Sequence, residues 1–119
     1  MHLDVTFRNL RSRDEVRRRA EALFEKLERF LDPAATAQLV ITHEHDSTVT
    51  ELTVNTHGEV HQVQEDDEDL RTALDRAFHR VETGLRRSKE RRIDRQHAGG
   101  AKSDGFEIGE DGEVKPVSV

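Results

Sequence analysis

The sequence predicts an α+β domain of order β-α-β-β-β-α, a four-stranded sheet with two helices packed on one face. Three observations carry this: an alternating segment at the start, two long stretches with helical apolar spacing, and between them further alternating segments separated by turn residues.

Leu3, Val5 and Phe7 alternate with Asp4, Thr6 and Arg8, the period of a half-buried strand. Ser12 and Glu15 then have the spacing of a capping box, in which each side chain satisfies the other residue's free backbone N–H, so a helix is expected to start there. Val16, Ala20, Leu23, Phe24, Leu27 and Leu31 form its apolar stripe, which Asp32-Pro33 ends. A second strand places Leu39 and Ile41 on one face, Asp46-Ser47 turns the chain, and a third carries Thr50, Leu52 and Val54. His57-Gly58 makes the next turn. In the fourth strand Val60 and Val63 have opposite parity, so both can face inward only across a bulge. Glu65 to Asp69 are read as acids at the start of a second helix, where they complement its dipole. Its stripe is Leu70, Leu74, Ala77, Phe78, Val81 and Leu85, and Gly99-Gly100 is expected to end it.

With 119 residues, 37% of them charged and 33% apolar, and with neither Trp nor Tyr, the chain can build one modest core of Leu, Val, Ile, Ala and Phe. One domain is expected over residues 1–97, followed by a Gly-rich, acidic and aperiodic segment, 98–119, too polar to bury and expected to be a disordered tail. The absence of cysteine excludes disulfides, thiolate zinc sites and cysteine nucleophiles. No apolar run approaches the roughly 20 residues of a membrane span, and the first residues alternate instead of forming a signal-peptide block. A cytoplasmic protein without a membrane partner is expected.

The net charge of -6 argues at first against a nucleic-acid partner, because phosphate binding is driven by Lys and Arg. Its distribution reverses that inference. Leu70 to His97 carry nine Arg or Lys against four acids, Glu65 to Asp69 carry five acids, and the last segment carries two Lys against five acids. At about 100° per residue, Arg76, Arg80, Arg87 and Arg91 line one side of the second helix, with Asp75 and Glu82 on the other flank. The first helix gathers Arg18, Arg19, Lys26 and Arg29, with Glu21, Glu25 and Glu28 opposite. Charged helix faces are ordinary when acid-base pairs keep a helix soluble, but that explanation predicts interspersed signs. Segregated signs on both helices favour a polyanion-binding surface of Arg18, Arg19, Lys26, Arg29, Arg76, Arg80, Arg87, Lys89 and Arg91.

Single-strand readers stack bases on exposed aromatics. Here Phe7, Phe24 and Phe78 fall on core faces, leaving only Phe30 and Phe106 as loose candidates. Contact to the phosphates and shape of a folded RNA is therefore the expected mode, with arginines gripping phosphate through two hydrogen bonds. His43 and His45 share a strand face, and His57 and His61 could lie nearby, but exposed strand ends account for them without a metal. No Ser-His-Asp spacing, phosphate loop or zinc-hydrolase motif is present, so no enzyme, metal, cofactor or small-molecule substrate is expected.

Four segments carry a family resemblance: Glu25-Lys-Leu-Glu-Arg29, Gly58-Glu-Val-His61, Glu68-Asp-Leu-Arg-Thr-Ala-Leu-Asp75 and Arg80-Val-Glu-Thr-Gly-Leu-Arg-Arg87. Over residues 1 to about 95 the chain resembles the short members of the ribosome hibernation-promoting factor and ribosome-associated inhibitor family, the sigma-54 modulation proteins. The resemblance implies a shape related to double-stranded-RNA-binding folds, lodged in the small subunit's tRNA and mRNA channel, where it blocks translation under stress. Family basic positions fall on Arg80, Arg87 and Arg91, whereas Arg71 replaces a usual aromatic, Thr83 a basic residue, and Gly84 interrupts the helix. No counterpart of the long members' dimerisation domain is expected here, and the tail from Lys102 to Phe106 with its following acids is similar to that of the inhibitor type. A monomer that inactivates single ribosomes is the resulting expectation. A general structured-RNA-binding module and an acidic protein-interaction adaptor are the alternatives.

Overall fold

A computed structural model describes residues 1–98, in the order β1 (His2–Arg8), α1 (Asp14–Glu25), a 3₁₀ turn (Glu28–Phe30), β2 (Thr36–Glu44), β3 (Ser47–Thr56), β4 (Glu59–Asp67) and α2 (Leu70–Ala98). The strands lie side by side in chain order. β1 and β2 are parallel, which requires the crossover that α1 supplies, while the other neighbours are antiparallel and joined by two-residue turns. His57 and Gly58 both adopt positive φ, 54° and 74°, the backbone that suits the twist of a tight hairpin. The β2–β3 turn falls on His45-Asp46, one residue before the expected position, because Ser47 already pairs with Glu44.

Strand alternation sorts the side chains into two faces. Leu3, Val5 and Phe7 on β1, Ala37, Leu39 and Ile41 on β2, and Leu52 and Val54 on β3 face the helices. Val16, Ala20 and Phe24 of α1 meet them, as do Leu70, Leu74, Ala77, Phe78, Val81 and Leu85 of α2. These residues form one cluster, and α2 lies over β3 and β4 while α1 lies over β1.

α1 is shorter than its stripe predicts. After Phe24 the buried residues are Leu27 and Phe30, a spacing of three, and the backbone tightens to match: Leu27 N–H bonds to Phe24 O at 2.9 Å and Phe30 N–H to Leu27 O at 2.8 Å. Three residues per turn keep Phe24, Leu27 and Phe30 on the core side, which 3.6 would not. Phe30 is thus a core residue, 3% exposed, and not a loose aromatic. The capping box does not form either. Arg13 occupies the cap position without a side-chain bond, and the Ser12 hydroxyl instead accepts from Arg17 at 3.3 Å.

β4 has no bulge. It pairs residue for residue with β3, from Thr48 opposite Asp67 to Thr56 opposite Glu59. Val63 faces the helices, Val60 is exposed on the open face, and His61 takes the buried position between Glu59 and Val63. The acids that follow are also redistributed. Glu65, Asp66 and Asp67 belong to β4, and only Asp69 caps α2, its Oδ2 accepting from the Thr72 N–H at 3.2 Å and the Thr72 hydroxyl at 2.7 Å. Those bonds hold the Asp69 carboxyl below its usual range. The expected stop at Gly99-Gly100 and the expected acidic tail beyond Ala98 lie outside the described residues.

Candidate nucleic-acid interface

Burial of its stripe turns one flank of α2 toward β4 and the other toward α1 and the 3₁₀ turn. On the β4 flank, Arg76 lies 3.5 Å from Asp67, and Arg80 lies 2.8 Å from Glu65 while also donating to Gln64 O at 3.3 Å. On the other flank, Arg19 of α1 grips Asp75 of α2 with two bonds, 2.9 and 2.7 Å, which hold its guanidinium above the usual arginine pKa. Arg76, Arg80 and Arg19 thus have carboxylate partners on neighbouring elements. Much of the sign segregation on each helix is balanced across elements, by acids that a single helical wheel does not contain. Exposed pairs of this kind stabilise by about 0–1 kcal/mol, so their main effect here is to neutralise charge.

Other candidate cations are held differently. Arg18 on α1 and Lys26 at its C-terminal cap are exposed, and among the described residues no ion pair, side-chain hydrogen bond or ring contact engages their side chains. Arg87 is exposed on α2, and Arg91 donates to the Ser88 hydroxyl at 3.3 Å. Arg29 and Lys89 converge. Their charged groups lie 4.9 and 5.6 Å from the centre of the Phe30 ring, and Arg86 joins them at 5.5 Å. Arg86 also pairs with Glu82 at 3.0 Å, one helical turn back. No carboxylate pairs with Arg29 or Lys89 among the described residues. Each cation–π contact of this kind stabilises by about 0.5–1 kcal/mol and leaves the positive charge in place.

The structure therefore brings together Arg29 and Lys89 and adds Arg86, which the wheel does not single out. That residue lies on the flank of Asp75 and Glu82, outside the arginine line, and its place beside Arg29 follows from the 3₁₀ turn that sets Phe30 under α2. The wheel alone contains no signal for it.

A second polar group lies under the far part of α2. Glu59 Oε1 is 3.0 Å from His61 Nε2, and because a carboxylate only accepts, the imidazole donates. Ser88, 3% exposed, lies close enough to favour the charged form of Glu59. Burial pushes the His61 pKa down, more than the Glu59 carboxylate raises it, and Arg91 and Arg92 push it further down. Burial also raises Glu59, but Ser88 and His61 outweigh it and hold the carboxyl below its usual range. Gly84 makes room for this histidine: a Cβ there would lie 3.2 Å from His61 Nδ1. Here the glycine serves a close approach of helix to sheet, which offsets its cost to the helix of up to about 1 kcal/mol. Among the described residues no group of histidines and carboxylates could hold a metal ion, and no helix is long and apolar enough to cross a membrane.

Comparison with known proteins places this geometry. Residues 3–93 match the family described as sigma 54 modulation protein / S30EA ribosomal protein, which is not an enzymatic one. The N-terminal domain of Thermus thermophilus Protein Y is 31% identical, with a TM-score of 0.68 over 73% of this chain and 98% of that one. A ribosomal subunit interface protein from Coxiella burnetii shares the fold at 20% identity, with a TM-score of 0.62 over 76% of this chain and 99% of its own. No curated protein matches the sequence. The match over most of the described residues, together with the same sheet and helices in its relatives, makes the chain a member of the sigma 54 modulation / S30EA ribosomal protein family.

Proposed function

We propose that the chain is a cytoplasmic ribosome hibernation factor that binds rRNA in the small subunit's tRNA and mRNA channel and blocks translation under stress. The observation that carries this reading is the family match over residues 3–93, which covers both helices that bear the exposed cations. The mechanism is occlusion. The sheet is a rigid platform, the helices present Arg and Lys to rRNA phosphates, and the bound domain excludes tRNA and mRNA without catalysing a reaction. Residues 1–97 act as the ribosome-binding unit, as a monomer, with the acidic segment 98–119 beside it.

Phosphate contacts make such binding strongly salt-dependent. The test is sedimentation of the chain with purified small subunits at low and at high salt. Co-migration at low salt and release at high salt is the expected result. A chain that stays unbound at low salt would contradict the proposal, and equal affinity for an isolated RNA duplex would replace it with a general RNA-binding module.

A further inference from the structure

We infer that Arg29, Arg86 and Lys89, gathered over Phe30, form a discrete phosphate site that takes a backbone phosphodiester of RNA. The inference deepens the proposed function and rests on its target being RNA. It begins from an electrostatic oddity. Three like charges from two elements lie within 5.6 Å of the centre of one ring, and among the described residues Glu82, paired with Arg86, is the one carboxylate in an ion pair with any of them. The ring attracts each cation by its quadrupole but cancels none of the charge, so the cluster keeps an excess of two positive charges. An anion is the missing component of such an arrangement.

The site is also fixed in place, which separates it from ordinary surface cations. Phe30 is 3% exposed and part of the core cluster, so the three cations cover its outer side. The 3₁₀ turn sets the position of Arg29 against α2, where Arg86 and Lys89 are one turn apart. Two guanidinium forks and one ammonium suit the oxygens of a phosphate, the forks by paired hydrogen bonds and the ammonium as a point charge. Glu82 competes with that phosphate for Arg86, so an incoming phosphodiester exchanges one partner of the Arg86 guanidinium for another. By contrast Arg19, Arg76 and Arg80, already neutralised by Asp75, Asp67 and Glu65, contribute less to RNA affinity.

The test follows the arginine side-chain N–H signals of the full chain by NMR during titration with an RNA duplex of about 16 base pairs, a length that spans two successive minor grooves. The Arg29 and Arg86 signals are expected to shift and saturate together, ahead of those of Arg76 and Arg80. Arg29→Gln with Arg86→Gln and Lys89→Gln, which keeps side-chain stems over the ring, is expected to weaken duplex binding at least 10-fold. It should also lower the salt slope by roughly one for each phosphate that is no longer neutralised. Shifts confined to Arg76 and Arg80, an unchanged affinity in the triple variant, or no binding of the duplex would each overturn the site. Saturable shifts at Arg29 and Arg86 in a chain that does not sediment with small subunits would support the site while contradicting the ribosomal target.

Discussion

The two halves of α2 hold their basic residues differently. In the first half, Asp75, Arg76 and Arg80 pair with Arg19, Asp67 and Glu65 on neighbouring elements, so these charges are neutralised within the fold. In the second half, Arg86 and Lys89 join Arg29 over an aromatic ring with Glu82 paired to Arg86, and Arg91 bonds to a hydroxyl. A count of basic residues, three over 70–84 and six over 85–98, does not show which of them are compensated. The difference lies in what the sheet and the 3₁₀ turn present to each: carboxylates at the end of β4, but the Phe30 ring near Leu85. A basic residue is available to a ligand only to the extent that the fold leaves its charge uncompensated.

The contrast between the two halves depends most on Phe30. Phe30→Ala removes a core side chain together with the platform for the three cations, and is expected to lower stability by about 3–5 kcal/mol, as read by denaturant unfolding. A near-neutral result would mean that the ring is not packed as described. Next in size is a difference in binding. Arg86→Gln with Lys89→Gln should weaken affinity for small subunits by roughly 100-fold, two charge-assisted contacts, while Arg76→Gln with Arg80→Gln should weaken it several-fold. The order should be plain in paired titrations at one salt concentration, and the reverse order would show that ion-paired arginines are the contact residues.

Smaller effects sharpen the picture of how the second half is held over the sheet. Gly84→Leu drives a side chain into His61 and is expected to cost about 1–3 kcal/mol, a loss that His61→Ala should partly relieve in a double-mutant cycle. The same histidine predicts a pH dependence. Its pKa is lowered in the fold, so between the folded and unfolded values the unfolded chain binds more protons, and stability falls as pH drops below the ordinary histidine value. Thermal melts from pH 8 to 5.5 should show this decline, and His61→Gln should flatten it. Smallest of all is Arg19→Ala, which breaks a partly exposed pair and is expected to cost about 1 kcal/mol or less in denaturant unfolding.

What the sequence revealed follows the physics of each feature. Apolar periodicity located both helices and all four strands, because burial imposes the period directly on the chain. It failed where another residue type filled a core position. His61 bonds Glu59 through Nε2 and packs against Gly84, so β4 needs no bulge, although two valines of opposite parity suggested one. It failed also where the winding changed, since a spacing of three at Phe24, Leu27 and Phe30 belongs to a 3₁₀ turn and not to a longer helix. The candidate interface was less legible than the fold. A helical wheel orders charges along one element, whereas the partners of Arg76, Arg80 and Arg19 come from β4 and α2. Arg86, which the wheel set apart from the arginine line, belongs with Arg29 and Lys89 once Phe30 is in place.

In the proposed binding mode this domain occupies the small subunit's channel with the second half of α2 against rRNA. Electron cryomicroscopy of small subunits saturated with the chain at low salt tests it most directly. The predicted result is density for the domain in the tRNA and mRNA channel, with Arg29, Arg86 and Lys89 against a backbone phosphate. Density elsewhere on the subunit, or in the channel with the open face of the sheet toward rRNA and that cluster turned to solvent, would contradict it.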